Sequence, residues 1–165
     1  MFDTIAGLPL HPLVVHATEV IVPTAALVIA LAAVWPLFRR WAGFLPFGLG
    51  LAAMVLVPIS TQSGEALQER VKDTALISTH ADLAEGLLPW IFVLFVVSGV
   101  LLWWNRAERT GTSPRASKFV PIVMAVTAVL AAAGTTGQAV LIGPTGATAV
   151  WSQAGTSTGA PAAAK

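Results

Sequence analysis

Two histidines and a glutamate stand at the head of the first long apolar run, in the segment LPLHPLVVHATEV over residues 8–20. Imidazole and carboxylate are the side chains that ligate haem iron or divalent metals, and they also relay protons near neutral pH. His16, Glu19 and Pro23 are spaced i, i+3 and i+7 and share one helical face, whereas His11 is rotated well away from His16 and lies nearer the surface. An ionisable group inside a membrane span costs about 2.5–3.5 kcal/mol unless it finds a partner or water. His16 and Glu19 are therefore expected to point inward.

Candidate partners recur at the ends of the other apolar runs. Ser60, Thr61, Gln62 and Glu65 close the second, His80, Asp82 and Glu85 open the third, and Thr135, Thr136 and Gln138 lie late in the fourth. A fold that brings these ends together would gather all the histidines at one end of a bundle. Structural roles compete with this reading: His11 before Pro12 would start a helix, and His80 would cap one.

The elements that must position these groups are membrane helices. The chain has 165 residues, 56% hydrophobic and 10% charged, against roughly 45–50% and about 25% in soluble domains. Apolar runs cover 13–38, 41–59, 83–104 and 119–142, each near the roughly 20 residues that cross a bilayer as a helix. They are apolar all round, which favours helices over the alternating strands of a β-barrel. The expected fold is all-α, an integral membrane four-helix bundle over residues 1–151 with a disordered tail over 152–165.

Charge is distributed asymmetrically. Arg39 and Arg40 follow the first span, and Arg106, Arg109, Arg115 and Lys118 lie between the third and fourth. The positive-inside rule makes both connections cytoplasmic and puts both termini on the outer side of the membrane. The acids, Glu108 excepted, fall on the other side, and Trp35, Trp41, Trp103 and Trp104 are expected at the cytoplasmic boundary. No basic residue precedes the first run, so it reads as a retained span and not a cleaved signal.

The connection from Ser60 to Asp82 is expected to hold a short amphipathic helix on the outer surface, starting at Glu65 with Ser63 as cap and Glu69 and Lys72 paired. Small residues mark the packing faces: Ala26, Ala30 and Ala33; Gly48 and Ala52; Ala128, Ala132 and Thr136. Pro23 and Pro58 lie deep enough to kink their spans. The absence of cysteine excludes disulfides and thiolate ligation by this chain, and no phosphate loop, nucleophile elbow or nucleic-acid stripe is present.

HPLVVH in the first span, SGE after the second, HADL opening the third and the closing IGPTGATAVW resemble the bacterial membrane family catalogued as domain of unknown function 2231 (DUF2231). The resemblance extends nearly to Trp151, and His11, Pro12, His16, Gly64, Glu65 and His80 match its pattern. Relatives are sometimes joined to Rieske-type iron–sulfur domains, which implies a redox partner in the membrane. Related sequences often carry a histidine in the closing Gly-x-x-Gly segment, where this chain has Gly143-Pro144-Thr145-Gly146.

Three functions fit these residues. The first is a b-type haem subunit ligated by His16 and His80, with His11 a further candidate ligand and Glu19 or Gln138 supporting them. The second is a divalent-metal site of His16, Glu19, Glu65 and His80. The third is a membrane scaffold or accessory subunit, not an enzyme in isolation, whose polar cluster fastens helix ends or relays protons. Transmembrane ion conduction is disfavoured, because the cytoplasmic halves of the spans contain almost no polar residues.

Overall fold

The computed structural model describes residues 4–5, 8–69, 74–112 and 119–157, with side chains over 11–69, 74–112 and 119–148. A two-residue antiparallel pair, β1 (Thr4–Ile5) with β2 (Leu8–Pro9), precedes six helices. These are α1 (Leu10–Val34), α2 (Pro36–Ala42), α3 (Leu45–Gln68), α4 (Ala75–Glu85), α5 (Leu88–Arg109) and α6 (Phe119–Ser157). Four helical stretches are long and apolar enough to cross a membrane: His11–Val34, Leu45–Gln68, Ala75–Arg109 and Phe119–Thr148.

The first span ends earlier than hydropathy suggests. Trp35 takes an extended conformation (φ −123°, ψ 95°) because the Pro36 ring excludes its predecessor from the helical region. The residues up to Ala42 then form the separate helix α2. Gly43, at φ 59°, supplies the positive dihedral that turns the chain into α3. Pro23, Pro58 and Pro144 sit inside helices that continue through them.

A separate surface helix starting at Glu65 is not seen. Residues 65–68 are the last turn of α3, and 70–73, including Lys72, lie outside the described residues. The helix that follows begins only at Ala75, where the Thr74 hydroxyl caps the Ile77 amide, and it leads directly into α5. α6 reaches Ser157, past the expected tail boundary, and 158–165 lie outside the described residues.

Two helical hairpins make the bundle. α1 packs on α3, and the α4–α5 arm packs on α6; α1 also packs on α6, and α3 on α5, so the hairpins interlock and α1 meets α5 across the diagonal. Val22, Ala25, Ala26, Ile29, Ala32 and Ala33 form the buried face of α1, against Ala53 and Val57 of α3, Ile91, Leu94 and Val97 of α5, and Ala128 and Ala131 of α6. Small residues let backbones approach where lipid supplies no hydrophobic drive.

The packing faces are partly those expected. Ala26, Ala33 and Ala128 are buried, but α3 turns Gly50, Ala53 and Val57 inward, with Gly48 and Ala52 half-buried, and Thr136 is exposed while Thr135 is buried. Gly50 packs against Ser98 so closely that a Cβ at this position would lie 2.8 Å from its Oγ. Leu27, Leu37, Phe92, Leu130 and Val140 face outward, as a lipid-facing surface requires.

Candidate functional site

The bundle has a histidine end, with the N-terminus of α1 and the α4 region, and an arginine end, with α2 and the end of α5. At the histidine end the two hairpins use the same device. His11 of α1 donates from Nδ1 to the Ser60 carbonyl at 3.1 Å and lies 3.2 Å from Ser63 Oγ. The Ser63 hydroxyl itself donates back to Ser60 O at 2.9 Å. A Cβ on the adjoining Gly64 would lie 3.0 Å from His11 Cε1, so the ring rests on a bare stretch of α3.

His80 of α4 repeats this against α6. Its Nδ1 lies 3.0 Å from Thr145 Oγ1, and the Thr145 hydroxyl donates to Ile142 O at 2.8 Å. A Cβ on Gly146 would lie 2.9 Å from His80 Cε1. In each case a hydroxyl residue gives its proton to the carbonyl three residues back and so accepts from imidazole Nδ1–H, while the next residue is the glycine that makes room.

This arrangement fixes the tautomer. A carbonyl can only accept, and a hydroxyl whose proton is committed elsewhere also accepts, so Nδ1 carries the proton of each neutral ring and Nε2 keeps its lone pair. Among the described residues neither Nε2 has a hydrogen-bond partner. His80 lies within electrostatic range of His11. Ligating histidines are held in this way, by a hydrogen bond on the nitrogen opposite the one that binds.

His16 and Glu19 are placed differently from the expectation. Both are exposed on α1, and His16 Nδ1 turns back to the Pro12 carbonyl at 2.5 Å. The rotation of α1 is set by its six buried small and branched residues. Stepping back from Val22 by three or four residues reaches Thr18, Val14, Val15 and His11, which are half-buried, so His11 is the inward histidine.

Glu65, Asp82 and Glu85 are also exposed. No group of three or more His, Asp or Glu side chains that could hold a metal occurs among the described residues, so His16, Glu19, Glu65 and His80 are not assembled into a metal site.

Gln138 has a structural role at the α4–α5 junction. Leu87 N bonds the Ala84 carbonyl, and Gln138 Nε2 reaches across from α6 to the Leu83 carbonyl at 2.7 Å. Gln138→Leu should leave that carbonyl unpaired in a low-dielectric setting and destabilise the fold by about 1–3 kcal/mol. A drop in the detergent thermal midpoint measures this, and an unchanged midpoint would show that water or another donor replaces the amide.

Sequence reasoning missed the arginine end, where Arg39 and Arg40 served only as orientation signals. Arg39 is 8% exposed, and its Nη2 contacts both Glu108 oxygens at 3.2 and 3.4 Å. Trp104 Nε1 donates to Glu108 at 2.8 Å, Arg40 Nε lies 3.6 Å from the same carboxylate, and Arg109 donates to the Arg40 carbonyl. The one available signal was Glu108, the acid standing among the arginines.

No curated protein and no solved structure matches the chain. The histidine-bearing stretches of α1 and α4, the SGE segment of α3 and the GPTG segment of α6 all fall within residues 7–159, which match a family model described as a predicted membrane protein, and the chain belongs to that family, DUF2231.

Proposed function

We propose that the histidine end binds a cofactor between His11 and His80, and that this cofactor is haem b in a redox subunit of the bacterial cytoplasmic membrane. The observation that carries the reading is the matched pair of imidazoles, each held through Nδ1 and, among the described residues, with no partner on Nε2. The Nε2 atoms of His11 and His80, one from each hairpin, would hold the group. Haem, when bound, supplies a one-electron couple. The chain's own residues orient the rings and tune ligand basicity, with Ser60, Ser63 and Thr145 accepting the Nδ1 protons.

The arginine end belongs in the cytoplasm by the positive-inside rule, which leaves the termini and the imidazole pair outside. A Rieske-type membrane protein is the class of partner that would exchange electrons there. The competing scaffold reading rests on the same hydrogen bonds, which tie α1 to α3 and α4 to α6.

The absorbance spectrum of detergent-purified protein, expressed with adequate haem and recorded before and after dithionite, separates the two. A Soret band that shifts on reduction, disappears in both His11→Ala and His80→Ala and survives in His16→Ala is the expected result. A colourless, metal-free protein that loses stability in the same two variants would establish the scaffold instead. A reporter on Lys165 tests orientation, and a cytoplasmic signal would overturn it.

A further inference from the structure

The arginine end carries more positive charge than its ion pair consumes. Glu108 is the last acid in the chain, and the buried Arg39 lies 3.2 Å from it. Arg40, Arg106 and Arg109 are exposed and add further cations. Arg40 approaches the same carboxylate only to 3.6 Å, with its side chain 61% exposed. Arg109 is held beside it by the bond it donates to the Arg40 carbonyl, and Arg106 stands one turn earlier on the same face of α5. The result is an accessible cationic ledge above a neutralised pair.

A mainly apolar cleft of about 410 Å³ adjoins this ledge, between the end of α1, α2, α5 and α6. Glu108 lines its polar end, so Arg40 stands at its mouth, while Leu101, Met124 and Ala125 are among its apolar walls. Val34 and Ile122, which also line it, are 52% and 57% exposed on the lipid-facing surface, so it opens sideways to the bilayer. On α2, Leu37 and Trp41 are exposed beside Arg40, and Trp35, Phe38 and Trp41 form a row of contacting rings. Indole and arginine together suit the headgroup boundary. The charge selects the head: a phosphodiester with a neutral substituent is attracted by these arginines, whereas the cation of a choline head is repelled by them.

We infer that the arginine end binds one anionic phospholipid, with its phosphodiester on Arg40 and Arg109 and one acyl chain entering the cleft between Val34 and Ile122. The site lies at the opposite end of the bundle from the imidazole pair and does not depend on what occupies that end.

The test is native mass spectrometry of the delipidated full chain in detergent, titrated with dioleoyl phosphatidylglycerol or dioleoyl phosphatidylcholine. One phosphatidylglycerol retained per chain is expected, held about tenfold or more tightly than phosphatidylcholine. The double variant Arg40→Gln with Arg109→Gln should weaken it about thirtyfold, the worth of two basic side chains at an anionic surface, and leave phosphatidylcholine unchanged. Ile122→Trp, placed at the exposed rim to close the cleft to the bilayer, should release phosphatidylglycerol with every arginine in place. All three substituted positions are exposed, and circular dichroism checks that each variant is folded. Equal retention of the two lipids by the wild-type protein, or a preference that survives the double arginine variant, overturns the assignment. A preference that survives Ile122→Trp, or that an equal concentration of glycerol 3-phosphate competes away, shows attraction of the head alone and overturns the cleft as its seat.

Discussion

Glu108→Ala is expected to destabilise the folded protein by about 3 kcal/mol, a loss typical of leaving one partner of a buried ion pair alone. Arg39 is held in place from α2 by a carboxylate on α5, and this contact joins the two hairpins at the arginine end. Removing the carboxylate also strips the Trp104 indole and Arg40 of their acceptor. Asn105, itself buried, donates to the Arg39 carbonyl at 3.5 Å, so the arginine has little freedom to leave.

The double variant Arg39→Leu with Glu108→Leu should recover most of that loss. It removes both charges together and fills the same space with apolar atoms, an exchange that is often neutral in buried ion pairs. Thermal midpoints in one detergent, for both single variants and the double, read the coupling. A Glu108→Ala effect below about 0.5 kcal/mol, the range of ordinary surface substitutions, would mean that the pair is solvated and not part of the bundle's closure.

Hydropathy and charge made the four spans and their two chemically different ends legible, because lipid imposes helix length and excludes charge over each run. The rotation of α1 was also written in the sequence, though not where ionisable residues directed attention. The run Val22, Ala25, Ala26, Ile29, Ala32 and Ala33 defines the inward face, and extending it backward selects His11 over His16. His16 and Glu19 fall outside that run, on the exposed side of α1.

Other features needed tertiary information. Trp35 as a break follows locally from Pro36, but burial of Arg39 depends on Glu108, 69 residues away. SGE and GPTG were visible as segments, yet nothing local shows that Ser63-Gly64 receives His11 and Thr145-Gly146 receives His80. Where relatives often place a histidine in the closing segment, Thr145 accepts the His80 proton, so the segment keeps a polar contact to α4.

The strongest test of the paired seats is Gly146→Val, which should abolish cofactor binding while leaving the bundle folded. Even a Cβ at this position would stand 2.9 Å from His80 Cε1 and 3.3 Å from Nδ1, and the two valine methyls would push the ring off α6. Valine is a better helix former than glycine, so α6 itself gains, and the loss is assigned to the seat. Gly64→Val should act in the same way on His11, whose Cε1 and Nδ1 would lie 3.0 and 3.3 Å from a Cβ. Thr145→Val is the milder companion: it keeps the shape, removes only the acceptor for Nδ1–H, and should weaken binding by about 10–100-fold. Titrating haem into each purified apoprotein and following the Soret band gives all three values. Undiminished haem affinity in both glycine variants, with the fold intact by circular dichroism, would show that the imidazoles act only between helices and that any cofactor is held elsewhere.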